Sequence, residues 1–227
     1  MNVKDLKMEK DIILNKSDAL IVVDMQYDFI PGGSLAVEEG DQIIDDINKA
    51  IEIFKNNNAK IVLTQDWHPK EHLSFASNHP GKNPGDEYSS EDGAIGPVLW
   101  PDHCVQGTKG AELHKDLNTI PACVIIRKGM NPKVDSYSAF IENDKKTETG
   151  LAGYLKSLNI KRIFICGLAT DYCCLATAMD GLSFGFEVIF LAELTKGVDL
   201  PPGNVSKALE TMESKGIKFA NLSSFKS

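Results

Sequence analysis

The segment 162–179 reads RIFICGLATDYCCLATAM and combines the features that decide the fold. Its first five residues, 162–166, form a short apolar run that is typical of a buried strand. The turn 167–171 follows, and the next residues have the composition of a helix start. Strand, turn and helix in this order form the repeating unit of a parallel α/β sheet.

The same kind of apolar run recurs along the rest of the chain, at residues 19–23, 60–64, 122–127, 187–191 and 217–220. Near-continuous apolar runs predict strands that are buried on both faces. Apolar residues at helical spacing lie between the runs, at 43–54 and 151–158, and a further helix is expected after Gly203. We therefore expect an α/β fold with a six-stranded parallel sheet flanked by helices on both faces. Residues 1–18 are expected to form an N-terminal extension, and residues 19–227 a single domain.

Composition excludes several classes of partner. The 227 residues include 24 Lys and Arg against 32 Asp and Glu, a formal net charge of −8, so we expect no nucleic-acid or membrane binding. No segment approaches the ~18 apolar residues of a membrane span. Five cysteines are an odd number in a chain too long to need disulfides, which predicts free thiols and a cytoplasmic location.

Chemically useful side chains follow four of the predicted strands. They are Asp24, then Asp66 and His68, then Lys128, then the stretch 167–174. Because parallel strands share one carboxyl edge, where open α/β sheets bind ligands, we expect these side chains to gather in one site.

Cys173 is the candidate nucleophile. At the start of a helix its thiol would lie near the positive end of the helix dipole and near unpaired amides, which predicts a lowered pKa. Cys174 lies about 100° further around the helix, so the two thiols cannot face the same cleft. The alternative is that one or both are small buried apolar residues.

Asp24 and Lys128 are the candidate partners of the thiol. Asp24 follows a buried strand, where desolvation should raise its pKa toward that of a proton shuttle. Asp28 is its competitor, and a capping role for Asp24 is the alternative. Lys128 would compensate the carboxylate and stabilise a thiolate.

A metal site is predicted in the long irregular loop at about 65–110, which holds four of the five histidines. Asp66 and His68 are two residues apart and would project to one side of an extended segment. His103 is the best third ligand, and His72 is left open as a fourth. Two imidazoles and one carboxylate leave positions free for water or substrate, which indicates a catalytic ion and a substrate whose ring nitrogen binds it.

Six motifs in order resemble the isochorismatase-like cysteine hydrolases, in particular their nicotinamidase branch. They are ALIVVDMQYDF (19–29), TQDWHP (64–69), WPDHCVQGT (100–108), RKG (127–129), DSYSAF (135–140) and GLATDYCCLATAMD (167–180). The resemblance spans most of the chain.

This resemblance implies a role for each matching residue. The implied catalytic triad is Asp24, Lys128 and Cys173, the metal ligands are Asp66, His68 and His103, the oxyanion amides are those of Ala169 and Cys173, and the substrate slot is lined by Phe29, Trp100 and Tyr137. It also implies a cis peptide bond between Leu168 and Ala169.

The implied activity is hydrolysis of nicotinamide to nicotinate and ammonia through a Cys thioester, in NAD salvage, with pyrazinamide as an analogue substrate. The implied cofactor is one divalent metal ion, with zinc favoured over manganese or iron, and homo-oligomerisation is left open. The alternatives are a hydrolase of another small amide, carbamoyl compound or vinyl ether, and a non-catalytic metal-binding or thiol redox sensor.

Overall fold

The structure is a computed structural model that describes residues 3–226. Residues 1, 2 and 227, which the expected extension and domain include, lie outside the described residues. The strands are β1 (Asp18–Val23), β2 (Lys60–Asp66), β3 (Val124–Lys128), β4 (Arg162–Leu168), β5 (Glu187–Lys196) and β6 (Lys218–Ala220). All adjacent pairs are parallel, and the order across the sheet is β3-β2-β1-β4-β5-β6. The predicted six-stranded parallel sheet is confirmed.

Helices cover both faces of the sheet, as predicted. They are α1 (Ile44–Asn56), α2 (Leu151–Ser157), α3 (Leu175–Ser183) and α4 (Asn204–Ser214). Leu20 and Val22 of β1 belong to the apolar cluster of α1, whereas Ile21 belongs to the cluster that contains α2, α3 and α4. This alternation follows from the two-residue period of a strand. Within residues 3–226, no helix is both long and apolar enough to cross a membrane.

The structure differs from the prediction at the strand ends and at one edge. β2, β4 and β5 continue beyond the predicted apolar runs: β2 adds the buried polar residues Gln65 and Asp66, β4 adds Gly167 and Leu168, and β5 runs on to Lys196. The prediction that every strand is buried on both faces is wrong for β3, whose residues alternate between half-buried and exposed up to Lys128. β3 lies at the edge of the sheet, so only one face of it is covered.

The irregular segment between β2 and β3 is folded on a small apolar core of its own. It begins at residue 67, since Gln65 and Asp66 belong to β2. Ala76, Ile95 and Leu99 form the core, and Phe75 pairs with Trp100 across the segment. Gln26, just after β1, ties the segment to the carboxyl end of the sheet, since its Nε2 donates to the carbonyl oxygens of Asp66 and Ala111.

The strand order places a crevice at the centre of that carboxyl end. β1 has β2 on one side and β4 on the other, so the connections leave the middle of the sheet in opposite directions. A reversal of this kind separates the loops that follow the two central strands and opens a ligand site between them.

Candidate active site

A buried lysine lies between two buried carboxylates at the carboxyl ends of β1, β2 and β3. Nζ of Lys128 is 2.9 Å from Oδ2 of Asp24, and it also donates a hydrogen bond to Oδ1 of Asp66. The carbonyl oxygen of Ser136 accepts a third bond from Nζ at 3.0 Å. The structure therefore brings together the Asp24 and Lys128 that the sequence singled out.

Burial and charge shift the pKa values of this cluster in different directions. Burial raises the pKa of Asp24, and the attraction of Lys128 offsets this only in part. For Asp66, burial is outweighed by the attraction of Lys128 and then of His68, so its pKa is lowered. For Lys128, burial is outweighed by the two carboxylates, and its pKa is raised well above its usual value. The two carboxylates therefore favour the charged form of Lys128.

Asp24 is held by a neighbouring strand. The hydroxyl of Thr64 in β2 donates to its Oδ1 at 2.5 Å, and the Asp24 amide donates to Oγ1 of Thr64 at 3.1 Å. The competitor Asp28 has other partners, since its Oδ2 accepts the amide of Cys104 at 2.7 Å. Of the two acids, Asp24 is the one in the lysine cluster.

The thiol of Cys173 faces this cluster. Cys173 lies in a π-helical turn, Thr170–Cys174, that follows the cis peptide bond between Leu168 and Ala169 and leads into α3. Its Sγ is 3.5 Å from Nζ of Lys128 and lies within 4.8 Å of a carboxylate oxygen of both Asp24 and Asp66. Cys174 points elsewhere, with its Sγ 4.0 Å from the carbonyl oxygen of Cys166.

The predicted lowering of the Cys173 pKa is wrong. Burial raises it well above the usual value, and the attraction of Lys128 opposes this only in part. The positive end of the helix dipole was expected to dominate. Burial of the thiol among carboxylates, however, destabilises the thiolate by more than the nearby amides stabilise it. Burial thus favours the neutral thiol over the thiolate at Cys173.

Asp66, His68 and His103 form a group that could hold a metal ion. Their candidate ligand atoms all lie within 4.8 Å of one another, and all three side chains are buried. Nδ1 of His68 is 2.9 Å from the carbonyl oxygen of Gly129, and Nδ1 of His103 is 2.8 Å from that of Pro101. Each carbonyl can accept the Nδ1 proton, which leaves the Nε2 lone pair of each ring for a metal. The donor set therefore fits a divalent ion.

The position of His68 depends on the glycine after β3. Gly129 has φ +67°, and a Cβ atom there would lie 2.3 Å from Cε1 of His68. Only glycine combines that backbone conformation with the close approach of the ring. This explains the glycine of the RKG motif.

His72, left open as a fourth ligand, is hydrogen-bonded at both ring nitrogens. Its Nδ1 accepts the amide of Ser74 at 3.2 Å, and its Nε2 lies 3.2 Å from the carbonyl oxygen of Val134. Burial, with repulsion from His68, lowers its pKa to about 3. His72 packs against the group of three without offering it a free lone pair.

One pocket, enclosing about 420 Å³ including its mouth, connects the thiol to the metal-ligand group. Its walls include Phe29, Leu35, Asp66, Trp100, His103, Asp135, Tyr137, Ala169, Tyr172, Cys173 and Val198. The three residues expected to line a substrate slot, Phe29, Trp100 and Tyr137, all belong to it.

Four pocket residues were not predicted. Asp135 lies in the DSYSAF motif and Tyr172 in the GLATDYCCLATAMD motif, and membership of these motifs was the available signal. Leu35 and Val198 lie in irregular segments with no motif or periodicity, and only the folded chain brings them to the pocket.

Aromatic rings fix the outer wall of the pocket. Trp100 packs edge-to-face on Tyr172 with ring centroids 5.0 Å apart, and its Nε1 donates to the Tyr137 hydroxyl at 3.2 Å. Phe29 packs against His103 at 5.5 Å. The result is a largely apolar pocket that also contains the Cys173 thiol and two of the candidate metal ligands, Asp66 and His103, a lining suited to a small aromatic ring with polar substituents.

Asp171 anchors the segment that carries Val198. Its Oδ1 accepts the amide of Val198 at 2.9 Å, and its Oδ2 accepts the amide of Asp199 at 2.9 Å and the Asn204 side chain at 3.0 Å. One buried carboxylate therefore attaches this pocket wall to the turn that carries Cys173.

The substitution Asp171→Ala is expected to loosen that wall. Hydrogen bonds to a charged acceptor contribute about 1.5–3 kcal/mol each, so the amides of Val198 and Asp199 should exchange with solvent roughly tenfold faster or more. Hydrogen exchange followed by NMR or mass spectrometry measures this, with the exposed Asp116→Ala as the control. Unchanged exchange at both amides would show that the carboxylate does not hold the segment.

Comparisons with known proteins agree on the family. The Isochorismatase domain matches residues 18–224. A nicotinamidase of Acinetobacter baylyi is 48% identical over 200 residues, which cover 88% of this chain and 90% of that protein. The structure of a nicotinamidase/pyrazinamidase of Acinetobacter baumanii is 46% identical, with a TM-score of 0.86, and covers 91% of this chain and 96% of its own. A pyrazinamidase of Pyrococcus horikoshii in complex with zinc is 44% identical, with a TM-score of 0.75 and coverages of 91% and 99%.

Proposed function

The chain belongs to the isochorismatase family, and we propose that it hydrolyses nicotinamide to nicotinate and ammonia at the pocket that contains Cys173. One observation carries this proposal: a thiol paired with an acid and a lysine shares an apolar pocket with a group of metal-ligand type. Nicotinamide is a planar ring with a carboxamide on one side and a basic nitrogen on the other. Its carboxamide would face the thiol and its ring nitrogen the metal-ligand group, and pyrazinamide has the same two groups. The nicotinate released would enter NAD salvage.

In the proposed first half-reaction Asp24 is the base. It takes the proton of the Cys173 thiol as sulfur attacks the carboxamide carbon, and the raised pKa of Asp24 brings its proton affinity closer to that of the thiol. The oxyanion accepts hydrogen bonds from the amides of Ala169 and Cys173. Asp24 then gives the proton to the amide nitrogen, the C–N bond breaks, and ammonia leaves a thioester on Cys173.

The second half-reaction uses the same residues in reverse. A water molecule loses a proton to Asp24 and attacks the thioester carbon. The C–S bond breaks, nicotinate leaves, and the proton on Asp24 returns to the sulfur. Lys128 stays charged throughout and offsets the negative charge that passes between Asp24 and Cys173.

We propose Asp66, His68 and His103 as ligands of one divalent ion, with zinc favoured. Two imidazole nitrogens and one carboxylate suit zinc, manganese or iron, and zinc is present in the related pyrazinamidase structure. When bound, the ion would supply a Lewis-acid contact for the pyridine nitrogen of the substrate. The aromatic walls would fix the plane of the ring, so the carboxamide would face Cys173.

A cytoplasmic location is also part of the proposal. All five cysteines have free thiols. Free thiols, and a thiol nucleophile in particular, persist in a reducing compartment.

Ammonia release from a set of carboxamides tests the substrate. Nicotinamide and pyrazinamide should be hydrolysed, and benzamide, which has the same shape without a ring nitrogen, should react with a kcat/KM at least about 10²-fold lower. The reason is that a site built for a polar group rejects the analogue that lacks it. A preference for benzamide or for a non-aromatic amide would favour the alternative, a hydrolase of another small amide.

Removal of the metal tests the role of the three ligands. Chelator-treated protein should lose at least about tenfold in activity on nicotinamide and recover it when Zn²⁺ is added, because the ring is then positioned again. Circular dichroism serves as the control that the fold is unchanged. A metal-binding or thiol sensor would release no ammonia at any metal content.

A further inference from the structure

Asp135 is a buried carboxylate in the pocket that the proposed reaction does not use. It is 2% exposed, and its Oδ1 accepts the amide of Ser136 at 2.8 Å. Its Oδ2 is buried and has no hydrogen-bond partner. A buried carboxylate oxygen without a partner costs free energy, and in native proteins it indicates a group that the structure does not contain.

The backbone holds this carboxylate in place from both sides. The amide of Asp135 donates to the carbonyl oxygen of Ala94 at 2.9 Å, and its own carbonyl accepts the amide of Asn143 at 2.8 Å. The neighbouring carbonyl of Ser136 accepts a hydrogen bond from Lys128. The backbone at Asp135 is therefore fixed at the pocket wall, and the bond from the Ser136 amide to Oδ1 orients the carboxylate.

Two observations restrict what Oδ2 can bind. Asp135 lines the same pocket as Asp66 and His103, yet it is not a member of the group whose ligand atoms all lie within 4.8 Å of one another. A carboxylate beside such a group can reach a bound metal through the ion's water.

The charges of the buried side chains also favour a cation near Asp135. Asp24 and Asp66 share the buried ammonium group of Lys128, and Asp135 is a further buried carboxylate in the same pocket as Asp66. When these three are ionised their negative charge exceeds the charge of Lys128, and a divalent cation offsets the excess.

We propose that Asp135 is a positioning residue whose Oδ2 accepts a hydrogen bond from the hydration shell of the ion held by Asp66, His68 and His103. This inference rests on the metal site of the proposed function and adds a residue to it. Its consequence is that Asp135 increases metal affinity without being a ligand.

The test is Asp135→Asn, which keeps the shape of the side chain and removes its charge. The affinity for Zn²⁺, measured by competition with a chromophoric chelator, should fall between tenfold and a hundredfold, the usual effect of losing an outer-shell partner. The matched control is Glu142→Gln in the same loop. Glu142 also has a buried oxygen, Oε2, without a hydrogen bond, but it does not line the pocket, so its variant should retain the wild-type affinity.

Thermal unfolding separates this role from a merely structural one. Without metal, Asp135→Asn should unfold at the wild-type temperature or above it, because a buried oxygen without a partner has been neutralised. With excess Zn²⁺, its unfolding temperature should rise less than that of the wild type. A variant that is destabilised equally with and without Zn²⁺ would assign Asp135 to folding and overturn the proposal.

The remaining outcomes are also decisive. An affinity within threefold of the wild type overturns the role of Asp135 while leaving nicotinamide hydrolysis by the wild type intact. A loss beyond about 10³-fold makes Asp135 a direct ligand and overturns contact through water. If the wild type binds no Zn²⁺, the metal part of the proposed function fails together with this inference.

Discussion

Replacement of Cys173 by alanine is expected to reduce ammonia release from nicotinamide by roughly 10⁴-fold or more in kcat/KM. The thiol is the group proposed to form the covalent bond, and loss of a nucleophile removes the entire covalent route. The fold should survive, since one sulfur atom is lost from a pocket wall. A colorimetric or coupled ammonia assay at matched protein concentration measures the effect.

Cys174→Ala is the matched control. Its Sγ lies near the carbonyl oxygen of Cys166 and not in the pocket, so activity should stay within a few-fold of the wild type. If Cys174→Ala abolished turnover while Cys173→Ala retained it, the assignment of the nucleophile would be wrong.

Lys128→Met is expected to have the largest effect on stability. It leaves Asp24 and Asp66 buried without their cation, a change that costs about 3–5 kcal/mol in comparable buried pairs. Urea unfolding at pH 7 measures the loss. Lys145→Met, which breaks the ion pair of an exposed lysine with Asp180, is the control and should cost under about 1 kcal/mol.

The loss caused by Lys128→Met should depend on pH in a defined direction. Without the lysine, burial raises the pKa values of Asp24 and Asp66 in the folded state above their unfolded values of about 3.9. Their contribution is then fully present below that unfolded pKa and is lost as pH rises through the raised folded pKa. The variant should therefore lie furthest below the wild type near neutral pH and approach it toward pH 4. A difference that is constant from pH 4 to pH 7 would show that the lost lysine acts through packing alone.

The sheet could be predicted from the sequence because its strands are apolar runs separated by helical periodicity. The ends of the strands could not, since Asp66 and Lys128 are polar and extend the strands by pairing with each other in the sheet, with both side chains buried. The half-exposed face of β3 was missed for a related reason, because an apolar run does not reveal whether its strand is central or at an edge.

The sequence predicts those site residues that lie directly after a strand or within one of the six motifs. Asp24, Lys128 and Cys173 come together because a parallel sheet gathers its carboxyl ends. The direction of the Cys173 pKa shift could not be predicted, because it depends on how completely the chain encloses the thiol. The lack of a hydrogen-bond partner for Oδ2 of Asp135 could not be predicted either, because burial and hydrogen bonding of this atom are set only in the folded protein.

Product partition in the presence of hydroxylamine tests the covalent route through Cys173 most directly. With wild-type enzyme and nicotinamide, a thioester would be captured by hydroxylamine in competition with water. The expected result is that nicotinohydroxamate forms at the expense of nicotinate, in proportion to the hydroxylamine concentration. If nicotinate remains the sole acyl product at every hydroxylamine concentration while ammonia is still released, water attacks nicotinamide directly and Cys173 is not its nucleophile.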